Sequence, residues 1–200
     1  MGDIFSESKS YSGLGITYRK MNKCKESLEM HSRAIQIRTK INNKNGLAIN
    51  YCEQSLTYYD MGKLGKAHTS LKKGLSLFKE LNNKRALNLG KYEMSKIYFH
   101  KGNIDKGIEL LNIALTYFKN EKDIPYYINC LLQLSIMYRQ KNNIKSALAS
   151  LNTAMKEAKG IKNDAFVDKI LIEIEICNLV NSANGNILLK IINNLKNDQI

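Results

Sequence analysis

Tryptophan is absent, proline occurs once, at Pro125, and no stretch of glycine, serine and proline is long enough to link separate domains. Collagen-like and low-complexity classes are thereby excluded, and one continuous domain is expected. Cys24, Cys52, Cys130 and Cys177 have no CxxC spacing, no paired framework and no legible signal peptide ahead of them. They read as reduced thiols, packed as small hydrophobes in a cytoplasmic protein. No apolar run approaches the ~20 residues of a membrane-spanning helix, so a soluble chain without a membrane partner is expected.

Catalytic signatures are missing too. There is no nucleophile elbow, no glycine-rich phosphate loop after a strand, and no metal-spaced His and Cys cluster. His31, His68 and His100 are scattered, and Cys24 with His31 supplies two ligands where a zinc site needs more. No enzyme activity, no cofactor and no metal are expected. Met1-Gly2 with Ser6 matches a myristoylation signal only formally, because so short a pattern arises often by chance.

Acidic residues are scarce relative to basic ones, 18 against 31, giving a net charge of +13. Such an excess supports salt-dependent association with nucleic acid, but no nucleic-acid reading motif accompanies it, so that partner is disfavoured.

What is present is a period. Tyr18, Tyr58, Tyr98 and Tyr138 each lie forty residues after the last, each followed by a short polar turn and a new apolar helical pattern. A unit of this size cannot bury its apolar face alone, so successive units must stack. The spacing predicts five units over residues 8–47, 48–87, 88–127, 128–167 and 168–200, the last degenerate, within one domain spanning 1–200. Each unit reads as a helical hairpin. In the second, Leu47 to Asp60 is helix A, Met61-Gly62-Lys63 the turn, and Leu64 to Leu81 helix B, followed by Asn82-Asn83-Lys84. Apolar stripes mark the B helices, as in Leu64, Ala67, Leu71, Leu75 and Phe78. Small residues recur at Ala34, Gly74, Ala114 and Ala154, where helices must approach closely.

With Gly15, Ser55, Ser95 and Ser135 at one site of helix A and Leu71, Leu111 and Leu151 at one site of helix B, the chain resembles the tetratricopeptide repeat proteins. His31 departs from the leucine column, and the family's closing proline is replaced by Thr39, Lys79, Lys119 and Lys159. A period of forty against the usual 34 fits longer B helices. The resemblance implies an all-α fold, a right-handed helical-hairpin solenoid of about five repeats. The Asn-rich turns make the units similar to those of bacterial peptide-pheromone regulators.

In that family the concave groove is lined by helix A positions. They transfer here to Ile49, Cys52, Glu53, Leu56 and Tyr59, to Leu89, Tyr92, Glu93, Lys96 and Phe99, and to Asn129, Leu132, Gln133, Ile136 and Arg139. This mixture of aromatic, amide and charged groups suits an extended peptide. Glu53, Glu93, Gln133 and Glu173 should form a ladder along one groove edge, favouring a ligand that presents Lys, Arg or an amino terminus. The carboxylate clamp of chaperone-binding members has no counterpart, since its places hold Ser12 and Ile16.

Ile170, Ile172, Ile174 and Ile176 alternate as a strand would, but the repeat register favours a helix, with Leu171 and Ile174 facing the preceding repeat. Ile172, Ile176 and Leu179 then lie on the groove face, to be covered by a tail helix around Ile187 to Leu195, further repeats, or a second subunit through self-association. The expected role is a non-catalytic scaffold that binds a protein or short peptide. The alternative is the peptide-sensing regulatory domain of a bacterial signalling regulator, a fragment without its output domain.

Overall fold

A computed structural model describes residues 2–182, and all nine elements found there are α-helices. They are α1 (Gly2–Lys20), α2 (Cys24–Lys40), α3 (Lys44–Asp60), α4 (Leu64–Glu80), α5 (Lys84–His100), α6 (Ile104–Asn120), α7 (Ile124–Gln140), α8 (Ile144–Gly160) and α9 (Asp164–Asn181). The chain falls into two compact units, one ending at Ile97 and the other beginning at Tyr98. In the first, α1 pairs with α2 and α3 with α4; in the second, α7 pairs with α8, and α9 packs on both.

The true structural period is half the sequence period. Asn22, Asn42, Gly62, Asn82, Gly102, Lys122, Asn142 and Lys162 stand at intervals of twenty, each the centre of a turn and each with positive φ between 51° and 80°. Gly and Asn tolerate that conformation better than other residues, which explains the Asn-rich turns. Lys122 and Lys162 do not share this tolerance. Replacing Lys122 (φ 55°) by Gly is expected to stabilise the fold by about 1 kcal/mol, read as a higher denaturant midpoint at unchanged slope.

Helices α2 to α8 all have 17 residues, so the length expected of the B helices is shared equally by the A helices. The Asn residues that read as the trailing end of helix B instead open helix A. Asn43 accepts from the Gly46 backbone N–H at 2.9 Å, and Asn83 from Ala86 at 3.0 Å, starting α3 and α5 three residues earlier than the apolar pattern does. Asn163 caps α9 in the same way through Phe166, at 3.1 Å. Pro125 sits in the first turn of α7, where its missing N–H costs nothing.

The two cores differ in chemistry. Unit two buries Leu111, Phe118, Ile128, Met137, Leu151 and Ile170, with Phe118 stacked on Tyr126 at 5.1 Å. Unit one buries Leu71, Phe78 and Ile97 but also His31, Arg38, Asn50, Thr57 and several serines. Close approach of α3 and α4 depends on Gly74, where a Cβ would meet the Ala48 carbonyl oxygen at 2.9 Å and Cys52 Sγ at 2.7 Å.

The fifth repeat is helical from Asp164 to Asn181, as the register requires. Its buried residues, however, are Ile170, Cys177 and Val180, while Leu171 is 52% exposed. Leu171 continues the column of Tyr11 and Tyr51, whose rings meet Arg33 and Lys73 of the following B helix. Among the described residues no B helix follows α9, and none of them covers that side of it. Ile172 and Leu179 are exposed and Ile176 is half-buried; the expected tail helix at 187–195 lies outside the described residues.

Candidate functional site

In the first unit, α1, α3 and α5 are the A helices, and their shared columns gather charged and aromatic side chains. Lys96 is the hub on α5. Its ammonium lies 2.9 Å from Glu93, 5.2 Å from the centre of the Tyr59 ring and 5.6 Å from that of Tyr92. All four side chains are half-buried, as are Leu56 and Leu89, while Ile49 is exposed. Apolar, aromatic and charged groups thus alternate on one set of helix positions.

Arg19 and Asp60, which the sequence reading passed over, belong to the same cluster. The Arg19 guanidinium donates to Asp60 at 2.9 Å, yet its Nε–H has no hydrogen-bond partner. Nearby Glu53 has a buried Oε2 that accepts no hydrogen bond. Burial pushes the Glu53 carboxyl above its usual range and Glu93 adds to the rise, while Arg19 and Lys20 pull the other way. The signal for Arg19 was available, since it stands in the column of Tyr59, Phe99 and Arg139.

Cys52 does not belong with the ligand-facing groups. Its sulfur packs towards Gly74, and burial, with smaller contributions from Glu53 and Glu93, raises its thiol to about 12. A thiol held protonated is a packing group rather than a nucleophile.

In the second unit the A-helix positions on α7 divide. Asn129, Gln133 and Ile136 are half-buried, as is Phe99 at the end of α5. Leu132 and Arg139 are buried, at 3% exposure each, and this departs from the expectation that they line an open groove. The reason is α9: it packs against α7, and its Glu173 accepts from Arg139 at 2.8 Å. The acidic ladder is therefore largely answered within each unit, Glu173 by Arg139 and Glu93 by Lys96. Glu53 is its exception.

Among the described residues no group of three His, Cys, Asp or Glu side chains could hold a metal ion. No described helix is long and apolar enough to cross a membrane.

Residues 6–80 match the tetratricopeptide repeat. No curated protein sequence matches the chain. Among solved structures, the apo form of RapI is similar over 92% of this chain and 66% of its own, with a TM-score of 0.79 at 16% identity. Aspartyl phosphate phosphatase F from Bacillus subtilis is similar over 86% of this chain and 45% of its own, with a TM-score of 0.80 at 10% identity. A Rap protein complexed with competence and sporulation factor is similar over 98% and 57%, with a TM-score of 0.78 at 15% identity. This chain spans about two thirds of the first of these and about half of the other two. At such identities the likeness is one of fold: the chain is built as a tetratricopeptide-like array of helical hairpins, and residues 6–80 also carry that repeat's sequence pattern.

Proposed function

We propose that the chain is a non-catalytic scaffold that binds an extended peptide or protein segment on the A-helix face, with the first unit as the principal site. The observation that carries this reading is the pair of unsatisfied polar groups there, Glu53 Oε2 and Arg19 Nε, on the same set of A-helix positions as the cluster of Tyr59, Tyr92 and Lys96. Unsatisfied buried polar atoms cost about 1–3 kcal/mol each, and the cost is removed when these side chains turn outward to a peptide backbone or basic side chain. Aromatic rings beside them supply apolar contact area.

The five repeats are read as one continuous solenoid in a cytoplasmic protein, with Ile172, Ile176 and Leu179 of α9 as a surface for self-association. A second reading is favoured by likeness over nearly the whole chain to a Rap protein complexed with competence and sporulation factor. In it, this chain is the peptide-sensing part of a signalling regulator, its output delivered by another segment or chain.

Peptides selected from a random library against the whole chain test the site. Tyr92→Ala combined with Lys96→Ala is expected to weaken their binding about tenfold or more, with the fold intact by circular dichroism. Unchanged affinity would place the site elsewhere.

A further inference from the structure

A second recess lies in the first unit, between α3 and α4, and uses none of the groups assigned to the A-helix site. It is an open cleft of about 330 Å³ with Lys66 and Lys73 on its α4 wall and Tyr58 and Gln54 on its α3 wall. Both lysines are exposed, and among the described residues neither is paired with a carboxylate. The Lys66 ammonium rests 5.8 Å from the centre of the Tyr58 ring and that of Lys73 5.5 Å from the centre of the Tyr51 ring. Three lysines differ: Lys44, Lys96 and Lys141 each meet an acid, Glu80, Glu93 and Asp105 respectively, whereas Lys106 rests on the Tyr98 ring as Lys66 does on Tyr58. A lysine left on a tyrosine ring gains little there, so a charge-assisted hydrogen bond readily recruits it.

The repeat register shows that this pairing is particular to the second repeat. In the first, the places of Lys66 and Lys73 hold Glu26 and Arg33, and Arg33 is neutralised by Glu29 at 2.6 Å. In the third they hold Lys106 and Ile113, with Glu109 where the second repeat has Thr69. Only the second repeat combines two cations with no carboxylate lining the cleft among the described residues. Ser70 donates to Gln54 Oε1 at 3.1 Å, which fixes the amide and leaves its NH2 group as a donor.

We infer that this cleft binds an acidic, extended peptide segment of a protein partner. Lys66 and Lys73 are seven residues apart on a helix, about 10 Å along its axis. In a polyproline II chain, acids three residues apart lie on one side at about 9 Å, which matches that spacing. The Gln54 amide suits a peptide carbonyl between them, and the tyrosine rings suit intervening apolar side chains. A nucleic acid strand, with a phosphate at every step, calls for a longer basic stripe than two lysines.

The test uses the whole chain and a labelled peptide with two glutamates separated by two prolines, followed by fluorescence anisotropy at low and high salt. Saturable binding is expected, weakened by salt, and reduced about tenfold or more by Lys66→Glu with Lys73→Glu. Lys72→Glu with Lys79→Glu, an equal change of charge outside the cleft, is expected to leave affinity within about twofold. Tyr92→Ala with Lys96→Ala is likewise expected to be neutral here, so failure of the A-helix site and failure of this one are separable. Absence of binding, equal loss in both charge-reversed pairs, or tighter and equally sensitive binding of a single-stranded oligonucleotide would overturn the inference.

Discussion

Replacing Arg139 by Met is expected to destabilise the second unit by about 3 kcal/mol, lowering the unfolding midpoint of the transition that reports on α7 to α9. The guanidinium and the Glu173 carboxylate are 2.8 Å apart, and their side chains are 4% and 14% exposed. Removing the cation leaves a carboxylate that water reaches poorly, and this orphaned charge is the source of the loss. The pair itself adds little net stability, because desolvating both groups offsets most of their attraction. Arg139→Met combined with Glu173→Leu should therefore recover most of what the single change removes. If the single replacement were neutral, α9 would not be docked on α7 as described, and the burial of Leu132 would lose its explanation.

Acid is expected to weaken the first unit through His31. This imidazole is wholly buried, with Nδ1 3.2 Å from the Asn50 amide nitrogen, and Asn50 in turn accepts from the buried Arg38. Burial lowers His31 from 6.5 to about 4, and the positive charges of Arg19 and Arg38 push the same way. The folded chain thus prefers the neutral ring. Its contribution to stability is complete above about pH 6.5 and is lost as pH falls towards 4, amounting to about 3 kcal/mol below that window. Glu53 works with the opposite sign, since a carboxyl raised by burial favours folding more as it protonates. The clean measurement is therefore the difference in unfolding free energy between the wild type and His31→Leu across pH 4 to 7.

The replacement needs a companion. A Cβ on Gly15 would lie 2.5 Å from the His31 ring, so the glycine exists to admit the imidazole. The later repeats hold Ser and Leu at these two places, as Ser55 with Leu71 and Ser135 with Leu151. Gly15→Ser with His31→Leu restores their combination. That double variant should unfold with a flatter pH dependence than the wild type, whereas Gly15→Ser alone should destabilise.

Much of this fold was legible in the sequence because a repeat states its register several times over. The tyrosine period located the hairpins, the Met61-Gly62-Lys63 turn and the helical identity of the fifth repeat. Helix starts were misplaced because the apolar stripe begins a turn after the Asn cap that opens the helix. Leu171 was misjudged because its column is covered by a B helix in earlier repeats and by none among the described residues of the last. For the candidate site, columns place Glu53, Tyr59, Tyr92, Glu93 and Lys96 on one set of A-helix positions. They could not show that Leu132 and Arg139 are buried, since that depends on how the next A helix packs rather than on the residues themselves. Nor could they show that His31, which departs from its column, and Gly15, the glycine in a column of serines, explain one another.

The A-helix face of the first unit is tested most directly by peptide affinity. Peptides enriched from a random library on the whole chain carrying Lys66→Glu and Lys73→Glu, titrated by calorimetry against that chain and against the same chain with Tyr92→Ala/Lys96→Ala added, should lose about tenfold or more in affinity in the latter. Affinities unchanged by that variant, or a library from which nothing is enriched, would contradict the account.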